Sequence, residues 1–357
     1  MDDLGPLLDR VPAALRGSTA YHVPQPPEIR AKLDANELPH AWPAELRAQL
    51  GAVLAEVALE RYPDPRAKQL RSVLAAQSGV AGEQLVFGNG SDELIAMLCN
   101  AFAGPILYPV PTFVYYKLAA VARGLPVIEV PLGPRFELDE TNVERAITEH
   151  RPSVVFLALP NNPTGTLWRM DFALELAAAH RDTVIVSDEA YVAYSGRTSL
   201  PALDQHPNLV IMRTLSKVGL AGLRVGFTIS APAIADVLEK VRPPYNLSSL
   251  DQAAAVFALR EAATWCLARA ADVVEERVKL AVALAPYGDI FESEANLILV
   301  RFGAGRASTL WQGLADRGIV VRNFDSPAGG PLAGCLRITV GTVEENALLL
   351  AALAELA

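Results

Sequence analysis

Between residues 65 and 229, short uninterrupted apolar runs alternate with longer segments of helical periodicity, and that alternation leaves few architectures open. PILYP, VVFLALP, TVIVSDEA, LVIMRTL and VGFTIS have strand length, whereas ELIAMLCNAF and MDFALELAAAH have helix length. A strand that is apolar at successive positions buries both faces, so helices must cover the sheet on each side and its strands must run mainly parallel. Pro243 and Pro244 then break the chain, and a long helical run begins near Ser248 or Ser249. After it come the strand NLILVRF, a helix over STLWQGLADRG, the strands IVVRN and CLRITV, and a last helix from Thr342, where T-V-E-E has capping-box spacing. The expected fold class is therefore α/β. A mainly parallel central sheet flanked by helices occupies 44–245, a smaller α+β C-terminal domain occupies 246–357, and the proline-bearing stretch 1–43 forms an N-terminal arm and part of the small domain.

Composition narrows the function classes. Hydrophobic residues make up 51% of the 357-residue chain, which excludes a disordered chain and allows large packed or inter-subunit surfaces. The formal net charge is -9 and no block of lysines and arginines stands out, so nucleic acid is not an expected partner. The start, MDDLGPLLDR, is acidic where a secretory signal would be basic, and no apolar run reaches membrane-spanning length; a cytoplasmic protein with no membrane partner is expected. Cys99, Cys266 and Cys335 are too scattered for a metal site or disulfide frame, and the histidines lack ligand spacing, so no metal is expected.

The candidate chemistry gathers at predicted strand ends. Lys217, in TLSK, follows the apolar run LVIMRTL, which puts it at the carboxyl edge where open α/β sheets bind ligands. A lysine drawn out of water there has a lowered pKa and becomes a usable amine, able to form a Schiff base. Taken alone, an exposed loop lysine is the commoner case. VSDEAY sets Asp188 and Tyr191 at the end of a second buried strand, where a carboxylate calls for a cationic partner; an N-cap is the ordinary alternative. LALPNNPTG ends a third strand in a turn carrying Asn162, which by itself is turn chemistry. GNGSDE lies between QLVF and a helix starting near Ser91, so backbone amides at Ser91 and Asp92 could seat a phosphate, with Ser216 and Arg224 completing the anion site. It is a poor dinucleotide fingerprint, because Glu93 stands where the last glycine would be. Phe113 offers a flat face for stacking on a ring, although core packing is the usual fate of a phenylalanine. Arg322 in IVVRN and Arg337 in CLRITV could close over an anionic substrate or simply face solvent.

In order, AYHVP, KLDANELP, RYPDP, GNGSDE, PTF, NNPTG, SDEAY, TLSK, GLAGLRVG, VVRN and GCLRITVGT span nearly the whole chain. On these motifs it resembles the fold-type I pyridoxal-phosphate-dependent aminotransferases, most closely the histidinol-phosphate aminotransferase family. The resemblance implies that Lys217 joins the cofactor aldehyde, Asp188 pairs with the pyridinium nitrogen, and Asn162 and Tyr191 donate to the ring's phenolic oxygen. It implies that Phe113 stacks on the ring and that Ser91, Asp92, Ser216 and Arg224 hold the phosphate. Tyr62, in RYPDP, corresponds to a tyrosine that reaches the neighbouring subunit's cofactor phosphate, which implies a homodimer with shared active sites. Tyr21, Asn36, Arg322 and Arg337 match positions lining the substrate pocket.

The implied reaction moves the amino group of histidinol phosphate to 2-oxoglutarate, giving imidazole acetol phosphate and glutamate, within histidine biosynthesis; Lys217 serves as acid and base, and Arg322 and Arg337 hold phosphate or carboxylate. An aromatic amino acid aminotransferase and a threonine-phosphate decarboxylase share the same fold and remain open, as does a non-catalytic protein that keeps it. One departure stands out. Lys217 and Arg224 are seven positions apart, one fewer than the commonest spacing in the family, and Val218 replaces the usual small residue, so the loop is expected to tighten around Gly219.

Overall fold

The computed structural model describes residues 5–11, 16, 28–326 and 329–356. Twelve strands appear among them: β1 (Ala31–Leu33), β2 (Leu85–Asn89), β3 (Ile106–Val110), β4 (Val127–Pro131), β5 (Val154–Ala158), β6 (Val184–Asp188), β7 (Leu209–Thr214), β8 (Val225–Ser230), β9 (Asp289–Ile290), β10 (Leu297–Arg301), β11 (Ile319–Asn323) and β12 (Cys335–Thr339). Seven form one sheet in the order β2-β8-β7-β6-β5-β3-β4. From β7 through β4 all neighbours pair in parallel, and β8 alone runs against its neighbours β7 and β2.

Alternation of side chains across the pleat explains the continuous apolar runs. In β5, Val155 and Leu157 enter a core with Leu107, Ile185 and Ile211 on one face, while Val154 and Phe156 enter another with Tyr108, Val186 and Met212. All five β5 residues are buried. The helices Gly90–Ala101, Tyr115–Ala122 and Pro232–Val241 cover the second face, and Lys68–Ser78, Met170–Ala179 and Ser249–Phe257 cover the first.

The second sheet runs β1-β11-β12-β10-β9 and is antiparallel except for the β1·β11 pair. This is the expected α/β fold with a smaller α+β unit. The N-terminal stretch contributes more than an arm: Leu33 of β1 is wholly buried, and β1 pairs with a strand almost three hundred residues away, Leu33 opposite Val321. The long helical run starts where Ser248 accepts from the Asp251 amide (3.0 Å). It is interrupted by a π-helical turn at Ala258–Ala262. Before that turn Ala255 and Val256 pack under the large sheet; after it Ala270, Val273 and Leu280 pack under the small one. The last helix, Val343–Leu356, opens with the expected capping box, the Thr342 amide donating to Glu345 Oε2 (2.9 Å) and the Glu345 amide to Thr342 Oγ1 (3.2 Å). Among the described residues no helix is long and apolar enough to cross a membrane, no cluster of ligating side chains could hold a metal ion, and the three cysteines are buried and free.

Candidate active site

All parallel strands of the large sheet end at one edge, and a cavity of about 320 Å³ opens there, roofed by the small sheet. Lys217, Asp188, Tyr191, Asn162, Ser91, Asp92, Phe113, Ser216, Arg224, Asn36, Arg322 and Arg337 all line it. Residues from chain positions 36 to 337 thus meet because β2, β5, β6 and β7 deliver their carboxyl ends while β11 and β12 supply two arginines from above.

Lys217 stands just past β7, in a short helical turn that ends in Gly219 at φ 90°. Its Nζ donates to the Ala35 carbonyl (3.2 Å) and lies 6.0 Å from the centre of the Tyr191 ring. Burial, and after it the Arg337 guanidinium, push its pKa down to about 8, which raises the free-amine fraction at neutral pH far above that of an ordinary lysine. Asp188 closes β6 and is buried. Its Oδ1 accepts from the Ala190 amide (3.1 Å) and its Oδ2 from the Tyr116 hydroxyl (2.5 Å). Burial nevertheless pushes its pKa up to about 6, because two hydrogen bonds replace hydration only in part.

The anion seat forms where β2 gives way to the helix Gly90–Ala101, whose first turn is left without a side-chain cap. Two glycines are required. A Cβ on Gly90 would sit 2.5 Å from an Arg224 nitrogen, and one on Gly226 would sit 2.6 Å from the Gly90 carbonyl carbon. The short Lys217–Arg224 loop still delivers its arginine: Arg224, at φ 50°, donates to Ser216 Oγ (3.2 Å) and to Asp92 Oδ2 (3.2 Å). Thr214 Oγ1 in turn donates to Ser216 Oγ (2.9 Å), fixing the serine.

Above the seat, Arg337 is buried and donates to Asn162 Oδ1 (2.7 Å) and to the Asp34 carbonyl, and Arg322 sits opposite it in register. Asn36 Nδ2 donates to the Tyr191 hydroxyl (2.8 Å), its backbone amide donates to Thr339 Oγ1 (3.0 Å), and its side-chain Oδ1 accepts from that same hydroxyl (3.0 Å).

The class I and II aminotransferase model matches residues 29–353. The chain belongs to that family. A histidinol-phosphate aminotransferase of Polaromonas naphthalenivorans is 44% identical over 331 residues, 90% of this chain and 89% of that protein. One from Paracidovorax citrulli is 42% identical over 369 residues, 99% and 98% of the two chains. Among solved structures, histidinol-phosphate aminotransferase from Sinorhizobium meliloti, crystallised in complex with pyridoxal-5'-phosphate, superposes with a TM-score of 0.86 at 25% identity over 97% of each chain.

In this class I and II aminotransferase, one of the expected site residues does not line the cavity and another lies outside the described residues. Tyr62 is 82% exposed and stacks on Tyr245 at 4.7 Å, away from Lys217. Tyr21 falls outside the described residues. Several wall residues were not expected from sequence. Tyr116 holds Asp188 and lies one residue beyond Tyr115 in PTFVYY, where it reads as an ordinary core aromatic. Lys32 lines the cavity with its Nζ 2.6 Å from Glu37 and 3.4 Å from Asp34, and only the pairing of β1 with β11 brings it there.

Proposed function

We propose that the chain is a pyridoxal-phosphate-dependent aminotransferase that takes the amino group from histidinol phosphate and returns it to 2-oxoglutarate, in histidine biosynthesis. The observation that carries this reading is one cavity lined by a lysine amine of lowered pKa, a buried carboxylate, Ser91, Ser216 and Arg224 at a helix start, and the arginines Arg322 and Arg337. Full-length similarity to histidinol-phosphate aminotransferases supports the choice of substrate.

The residues fit the cofactor. Gly226, where a Cβ would meet the Gly90 backbone, lets β8 pack against the helix start, and Arg224 with Ser216 supplies donors for a phosphate there. When bound, pyridoxal phosphate supplies an aldehyde that takes up an amine and a ring that stabilises negative charge on the substrate carbon. Lys217 Nζ, short of hydration, accepts a proton from the substrate carbon and returns it, acting as base and then acid. Asp188, a carboxylate in the same cavity, would pair with the ring nitrogen and keep it protonated. Asn162 Oδ1 is taken by Arg337, so its Nδ2 is left to donate to the ring oxygen; Tyr191 accepts from Asn36 and keeps its own proton to donate. Phe113 supplies the ring's stacking face. Arg322 and Arg337 would hold the substrate phosphate in one half-reaction and a carboxylate of glutamate in the other, with Asn36 on the same wall.

The reading includes a homodimer with shared sites. The helix Ala44–Ala55 buries none of its residues within the chain, although Leu46, Leu50, Val53 and Leu54 lie on it, and Leu59 and Tyr62 just beyond are 73% and 82% exposed. Tyr62 would then reach the partner's anion seat. Residues 44–245 would form the cofactor domain, 246–357 with part of 1–43 the smaller one, and the enzyme would work in the cytoplasm. Single-turnover spectra with histidinol phosphate, phenylalanine and threonine phosphate test the substrate; histidinol phosphate reacting slowest of the three would reject it.

A further inference from the structure

Tyr116 is fully buried, and its hydroxyl donates to Asp188 Oδ2 at 2.5 Å. Its ring is clamped: stacked on Phe156 of β5 (4.6 Å, 9°) and edge-on to Phe113 (5.7 Å, 89°). The same side chain therefore touches the carboxylate beneath the proposed ring site and the aromatic face proposed to stack on that ring. We infer that Tyr116 is a positioning residue that holds Asp188 ionised and aimed, and through it governs how firmly the cofactor's ring nitrogen keeps its proton. The inference rests on the cofactor reading above.

The physical case has three parts. Burial and the Asp188 charge raise the phenol's pKa, so Tyr116 stays a donor throughout the working range. A hydrogen bond given to a carboxylate favours its charged form, and inside a protein such a bond is stronger than in water. The other charged or titratable groups facing the pair do not replace it: Asp92 from the helix Gly90–Ala101, Glu189 and Tyr191 all disfavour a negative Asp188 or a negative phenolate. Glu189 is itself turned away, paired with Arg213 (2.8 Å) and accepting from the Ser199 amide (2.7 Å). Among the described residues Tyr116 and the Ala190 amide donate to Asp188, and of these two Tyr116 can be changed by substitution without altering the backbone.

Removing the hydroxyl makes Asp188 more avid for a proton, so the ring nitrogen carries less positive charge. Less positive charge on the ring lets the neighbouring nitrogen, the one joined to Lys217, keep its proton to higher pH. The test is a visible-absorbance pH titration of the loaded enzyme, comparing wild type, Tyr116→Phe and Phe156→Leu, with melting temperatures to confirm folding. Phenylalanine keeps every ring contact. The expected result for Tyr116→Phe is an upward shift of the chromophore transition by roughly half a pH unit or more, with kcat lowered about tenfold and KM little changed. Phe156→Leu, which loosens the ring seat but leaves the hydroxyl, should lower the melting temperature and leave the transition in place. An unchanged or downward transition in Tyr116→Phe overturns the inference, as does an equal shift in Phe156→Leu, which would assign the effect to packing. If Tyr116→Phe fails to fold, Tyr116→His decides: histidine, another donor, should leave the transition within about half a pH unit of wild type, and a larger departure counts against the hydroxyl. A wild-type protein with no pH-dependent visible band would instead remove the cofactor reading itself.

Discussion

Replacing Asp188 by asparagine should stabilise the cofactor-free protein while removing a group that the proposed chemistry uses. The carboxyl has an ordinary pKa of 3.8 and is pushed up to about 6 in the fold, chiefly by burial. A group whose folded pKa is raised in this way binds its proton more tightly in the folded chain, so its ionisation opposes folding. The cost is absent below the unfolded value, grows as pH rises through the window from 3.8 to about 6, and is complete above it. Two units at about 1.4 kcal/mol each give roughly 3 kcal/mol at pH 8. Asparagine removes the charge and keeps both contacts, its oxygen accepting from the Ala190 amide and its amide donating to the Tyr116 hydroxyl, but the buried Tyr116 proton then lacks its acceptor, which offsets part of the gain. Urea unfolding of both cofactor-free proteins, at one protein concentration, is the assay. Asp188→Asn should be more stable by up to about 3 kcal/mol at pH 8, and the gap should shrink below about 1 kcal/mol at pH 4. A wild type as stable as the variant at pH 8, or a gap that does not change with pH, would refute the reasoning.

Further outcomes follow from the same geometry. Gly226→Ala must push its new methyl into the Gly90 carbonyl carbon at 2.6 Å; it should cost about 1–3 kcal/mol and release cofactor on dialysis that wild type survives, which absorbance reads directly. Arg337→Lys keeps the charge but loses the fork that spans Asn162 and the Asp34 carbonyl, so KM for histidinol phosphate should rise at least about tenfold with a smaller change in kcat. Mixing Tyr62→Phe subunits with Lys217→Ala subunits should yield dimers in which one site carries both substitutions and the other neither. Their activity should exceed that of either parent, and activity equal to the average of the parents would deny shared sites.

Much of the fold was legible because the strands most buried on both faces are also the most uniformly apolar: VVFLA and LVI need no knowledge of their neighbours to be placed. The site was legible where chemistry and strand end coincide in one short motif, as in SDEAY and TLSK. What stayed hidden depends on contacts distant in sequence. Nothing near Lys32 signals that β1 will join β11 and carry it to the cavity wall. Nothing near Tyr116 separates a core aromatic from one aimed at Asp188, since the spacing from Phe113 fits either. The helical run after Ser248 reads as continuous, because its π-helical turn, ALREA, contains no glycine or proline to mark the point where the packing passes from one sheet to the other.

The account depends most on Lys217 being the amine that carries the cofactor. Borohydride reduction of the loaded enzyme followed by peptide mapping measures this directly. A single label, on the peptide containing Lys217, is the predicted result; a label on another lysine, or none, would contradict it.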